Sequence, residues 1–190
     1  MYTIVVTGRA AHAGLEPEKG ANALVEVAHL ILALGPLARP EIGTTVTPTV
    51  AVAGTATNVV PAEAVVEVDV RVAFPEEADR VDDALRALKP SVPGCRHDVR
   101  GGLNRPPMPE ASGVELWALA RSVAATLGLP ALTGVTVGGG SDGNLTAAAG
   151  CPTLDGLGSV GGGAHAENEH VIVSFMPERA ALLAELVASI

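Results

Sequence analysis

Alternation and β-branching run from Tyr2 to Thr7, the mark of a strand with one face buried. Gly8 to Gly20 then carries three Gly, one Pro and few apolar side chains, as a functional loop does. From Asn22 the period changes. Ala23, Val27, Leu30, Ile31 and Leu34 recur at helical spacing until Gly35-Pro36 stops the helix. A β-rich block, Thr44 to Ala53, leads through Gly54 to Pro61 into Val65 to Val72, where valines at 66, 68, 70 and 72 alternate with Glu67, Asp69 and Arg71. Pro75-Glu76-Glu77 opens a second helix by placing Pro and acids in its first turn, with Val81, Leu85 and Leu88 as the apolar stripe. Cys95 to Val99 reads as a closing strand.

The resulting order is strand, helix, strand, strand, helix, strand, the α+β split arrangement known as ferredoxin-like (βαββαβ). Gly101 to Gly113, rich in Pro, is the natural boundary, so the expected domains are residues 1–103 and 104–190. Beyond it the pattern predicts a helix over 114–127, a strand near 132–137, a short helix from Asp142, a strand near 153–157 and a last helix after Pro177. This second half reads as an incomplete α/β segment, with too few strands for a doubly wound sheet covered on both faces.

Composition narrows the function. Of 190 residues, 48% are hydrophobic and the mean hydropathy is +0.37, which excludes a disordered chain. The net charge of -9 and the four aromatic residues Tyr2, Phe74, Trp117 and Phe175 argue against nucleic acid and against an anionic membrane surface as partners. Glu26 and His29 interrupt the longest apolar stretch before it reaches spanning length. The start lacks the basic and apolar regions of a secretory signal, and Cys95 and Cys151 are too few for a disulfide framework, so the expectation is a cytoplasmic protein.

Three Gly-rich segments at strand ends hold the candidate chemistry: 8–20 with His12, 138–144 with Ser141 and Asp142, and 156–170 with His165, Glu167, Glu169 and His170. Gly138-x-Gly140-x-x-Gly143 formally matches a dinucleotide turn. The helix after it is short, however, and no acid lies about 20 residues on to hold a ribose hydroxyl. Imidazole and carboxylate together suit zinc, yet this loop is no complete ligand set, and a solvated polar loop has the same composition. His165, after three glycines, is the leading ligand candidate. Asp142 can be the N-cap of the following helix. His29 and His97 are assigned no role.

Four stretches in fixed order resemble the co-catalytic zinc aminoacylase and carboxypeptidase family. They are Gly8-Arg9-Ala10-Ala11-His12-Ala13-Gly14; Gly54-Thr55-Ala56-Thr57-Asn58-Val59-Val60-Pro61 followed by Asp69-Val70-Arg71; Gly138-Gly139-Gly140-Ser141-Asp142; and Gly163-Ala164-His165-Ala166-Glu167-Asn168-Glu169. The resemblance implies that the first half is a lid that pairs with its twin through helix and edge strand, giving a homodimer. It implies that His12 stabilises an oxyanion in the partner's site and that Asn58 and Arg71, aided by Arg105, hold a substrate carboxylate. Gly139, Gly140 and Ser141 would line the substrate rim, His165 would ligate zinc, and Glu169 would support that ligand. The substrate class implied is a small carboxylated amide or peptide, with two zinc ions per site. The family's remaining zinc ligands and general base come from an N-terminal half that precedes the lid, whereas only Met1 precedes Tyr2 here. The expectation is therefore a fragment, inactive alone; a free-standing dimerisation or ligand-binding module is the alternative.

Overall fold

A computed structural model describes residues 1–190, which divide into two compact units, 1–107 and 108–190. The first is α+β. Its strands are β1 (Tyr2–Thr7), β2 (Thr45–Ala53), β3 (Glu63–Arg71) and β4 (Arg96–Gly101), with helices α1 (Ala23–Leu34) and α2 (Pro75–Ala87) between β1 and β2 and between β3 and β4. The sheet order is β2-β3-β1-β4, and every neighbouring pair is antiparallel.

Register explains the core. Ile4 lies opposite both Val66 and Val99, Tyr2 opposite Val68, and Val6 opposite Ala64 and His97. Because side chains alternate between faces, this sets Tyr2, Ile4, Val6, Ala64, Val66 and Val68 on one face, all buried under α1 and α2. The α1 stripe of Ala23, Val27, Leu30 and Leu34 and the α2 pair Val81 and Leu85 complete the cluster. Asn22 caps α1 by accepting the Leu24 and Val25 amides at 3.0 and 3.1 Å, and Pro75 opens α2.

Two buried carboxylates join the elements. Glu77 of α2 accepts from Thr44 Oγ1 (2.9 Å), Arg80 Nη2 (2.6 Å) and Arg39 Nη1 (3.0 Å), and these partners, Arg80 foremost, hold its carboxyl down at about 2. Glu26 of α1, only 1% exposed, accepts the Ser91 and Val92 amides and meets His97 Nε2 at 2.8 Å. His97, assigned no functional role, has a structural one: His97 and Val99 share the inner phase of β4, and the imidazole is buried against Glu26.

The second unit departs from the expected α/β segment. It contains α3 (Val114–Thr126), α4 (Gly143–Ala148), the two-residue ribbon β5 (Gly161–Gly162) with β6 (His170–Val171), and α5 (Met176–Ala188). The expected strands near 132–137 and 153–157 form no ladder. A β-rich pattern becomes a strand only where a neighbour supplies hydrogen bonds, and no strand lies alongside either segment; Val135 and Val137 stay 80% and 69% exposed. The core here is the packing of α3 on α5 through Val123, Ala124 and Leu182. No helix of either unit is long and apolar enough to cross a membrane.

Candidate functional site

In the first unit the loops 8–20 and 54–61 are stitched together beyond the ends of β1 and β3. Gly8 N donates to Ala62 O at 2.7 Å, Val60 N to Ala11 O at 2.9 Å and Ala13 N to Asn58 O at 2.9 Å. Glycine permits this approach: a Cβ on Gly20 would stand 2.8 Å from Val60 Cγ1, while one on Gly8 would stand 2.0 Å from Ala21 O, where the first loop closes on itself. The result brings His12 and Asn58 to one end of the sheet, both exposed, with His12 bridged to Val59.

The His12 ring is oriented by its own turn. Nδ1 accepts the Gly14 and Leu15 amides at 3.2 Å each, which places the proton of a neutral imidazole on Nε2. An exposed loop thus presents an N–H donor outward.

Arg71 lies elsewhere. It ends β3, eight residues from Glu63, which at strand rise is about 26 Å from the His12 and Asn58 end. There its Nε is paired with Asp69 Oδ2 at 2.8 Å. The chain beyond Gly101, opposite Tyr2, leaves from this same end, so Arg105 follows from the Arg71 side rather than the His12 side.

In the second unit, Ser141 anchors the turn before α4. Its Oγ donates to Asp155 Oδ2 at 2.5 Å and accepts the Gly143 amide at 3.0 Å, while its own amide donates to Asn144 Oδ1 at 2.9 Å. Asp142 occupies the N-cap position without a side-chain capping bond, so Ser141, not Asp142, serves the helix start. Asp155, which the sequence pattern did not mark, holds this turn. Ser141 and the Gly156 amide hold its carboxyl below the usual range.

His165 stands at the tip of the β5–β6 ribbon with φ 63, the one non-glycine residue in the left-handed region. Glu169 Oε2 accepts the His165 backbone amide at 3.3 Å, so it supports the turn rather than the imidazole ring. His170 Nδ1 meets Asn168 O at 2.9 Å. Gly161 must be glycine, since a Cβ there would stand 2.0 Å from His170 O. Nowhere in the chain do three His, Cys, Asp or Glu side chains converge to hold a metal. The residues present therefore do not fit a zinc site by themselves, and no metal step is derived from them.

Residues 1–90 match the M20 family described as a peptidase dimerisation domain, and the chain is similar to the M20 zinc peptidase family as a portion of it. It is 33% identical to carboxypeptidase G2 of Pseudomonas sp. (strain RS-16), over 96% of this chain and 45% of that protein. Among solved structures, aminopeptidase PepT from Bacillus cereus ATCC 10987 agrees with a TM-score of 0.67 at 26% identity, covering 97% of this chain and 50% of that one. A tripeptidase from Staphylococcus aureus subsp. aureus mu50 agrees with a TM-score of 0.68 at 25% identity, covering 97% and 49%. The chain thus spans about half the length of these relatives or less.

Proposed function

We propose that this chain is the lid and C-terminal part of a zinc-dependent exopeptidase or amidohydrolase that cleaves an amide bond next to a free carboxylate. The observation that carries the reading is the joined pair of loops that offers the His12 Nε2–H and the Asn58 amide from one sheet end. A donor fixed in advance and aimed at developing charge acts mainly in the transition state. The sheet order and the strand-helix-strand-strand-helix-strand succession support a ferredoxin-like reading of this lid.

The separation of about 26 Å along β3 bears on the assembly. One small substrate cannot span it, so a site using His12, Asn58 and Arg71 draws them from two copies of the chain. A homodimer satisfies that geometry, with Arg71 and Arg105 serving as forked carboxylate anchors. His165 would supply one zinc ligand, its left-handed backbone being a strained conformation of the kind that functional loops retain. Gly139, Gly140 and Ser141 would form the rim. The free thiols of Cys95 and Cys151 support a reducing, cytoplasmic setting.

In the enzyme that carries this chain, His12→Ala is expected to lower amide turnover roughly a hundredfold or more while zinc content stays constant. Unchanged turnover would remove the oxyanion assignment. Sedimentation equilibrium tests the assembly, and a strictly monomeric protein would remove the shared site.

A further inference from the structure

We propose that Asp155 is the positioning residue of the Gly138–Ser141 turn, holding it so that the Gly139 and Gly140 backbone amides face outward as its binding groups. The inference rests on the reading of this turn as the substrate rim and changes which atoms of the rim do the binding. A serine hydroxyl has one proton to give. Ser141 gives it to Asp155 Oδ2 at 2.5 Å, and its backbone N–H goes to Asn144 Oδ1 at 2.9 Å. Both donors of Ser141 are therefore committed inside the protein, leaving it none for a substrate carboxylate.

The glycines before it differ. Gly139 and Gly140 are exposed and make no hydrogen bond. A Cβ on Gly139 would meet nothing within 4 Å, and the residue does not have a positive φ, so neither crowding within the chain nor backbone conformation calls for glycine there. A bare backbone is then of use to something approaching from outside, and a carboxylate is the chemistry that two adjacent N–H donors recognise.

Asp155 is itself well held. Its Oδ1 accepts the Gly156 amide at 2.7 Å. Thr153, two residues earlier, donates its amide to Ser112 O at 2.8 Å, and its hydroxyl meets that of Thr146 on α4 at 3.0 Å. The brace thus ties the turn to a segment that is anchored on two sides, which limits the motion of the amides it presents.

The test uses the 190-residue protein, labelled with nitrogen-15. Order parameters and hydrogen exchange of the Gly139 and Gly140 amides are compared between the wild type, Asp155→Ala, Ser141→Ala and Asp155→Asn, and each is titrated with N-acetylglycine. Asp155→Ala and Ser141→Ala should loosen both amides and weaken N-acetylglycine binding there at least five-fold, with the double variant no worse than either. Asp155→Asn, which keeps a carbonyl oxygen for the Ser141 hydroxyl, should remain within two-fold of the wild type. Amides as ordered in Asp155→Ala as in the wild type would overturn the proposal. Wild-type amides that ignore N-acetylglycine, yet loosen in Asp155→Ala, would uphold the brace and instead remove the substrate-rim reading. A failure of Asp155→Ala to fold leaves Ser141→Ala and Asp155→Asn to decide, since both retain the Asp155 segment's own anchors.

Discussion

Replacing Glu26 by alanine probes the buried network of the first unit. The carboxylate takes the Ser91 amide at 2.9 Å, the Val92 amide at 2.6 Å and His97 Nε2 at 2.8 Å, and no other acceptor serves those two amides. Each donor of this part-buried site left unsatisfied costs about 1–3 kcal/mol, and the one lost methylene adds about 0.8 kcal/mol. Relief of the buried charge and the better helix propensity of alanine offset part of this. The net loss expected is about 3–5 kcal/mol, a large share of the roughly 5–15 kcal/mol that stabilises an ordinary domain. At about 4–8 °C per kcal/mol the melting point should fall by more than about 12 °C. Urea unfolding followed by far-UV circular dichroism measures the loss, and hydrogen exchange of the β1 and β3 amides assigns it to this unit. His97→Ala leaves the two amides satisfied and should cost less, about 1–2 kcal/mol. A loss below about 0.5 kcal/mol for Glu26→Ala, or a larger loss for His97→Ala, would refute the claim that the carboxylate is the hub.

The remaining expectations concern pH and backbone approach. Glu77 is held at about 2, below its usual 4.5, so its stabilising effect is complete above pH 4.5 and disappears as pH falls toward 2. Glu77→Gln should flatten the acid limb of the stability curve in that window, and an unchanged limb would contradict the assignment. Tyr2 is pushed up to about 12 by burial and by its bond to Asp82, so its contribution is complete below pH 10 and lost as pH rises toward 12. Tyr2→Phe should cost about 1 kcal/mol at neutral pH and lessen the alkaline fall between pH 10 and 12, read by the same unfolding titration. Gly8→Ala drives a Cβ into Ala21 O and should open the Arg9–Ala21 bridge that closes the 8–20 loop, seen as faster exchange of the Arg9 and Ala21 amides; unaltered protection would show that the loop does not depend on that approach.

Local chemistry decides much of this protein before any tertiary contact forms. The Tyr2–Thr7 alternation, the Asn22 cap with its apolar stripe, and Pro75 with its acids mark strand and helices within a residue or two, because each signal acts between near neighbours. Glu26 was legible only as a charge that interrupts the apolar stretch of α1. Its partners could not be read, since His97 lies 71 residues away and meets it only through the β1–β4 register. Asp155 was hidden for the same reason, joined to Ser141 by folding across 14 residues. The segments near 132–137 and 153–157 carry a strand's pattern but no strand's hydrogen bonds, for a ladder is a property of two segments and these have no neighbour. Likewise the motif residues His12, Asn58 and Arg71 were legible as a set, whereas the antiparallel sheet alone decided that the first two share one end and the third stands at the other.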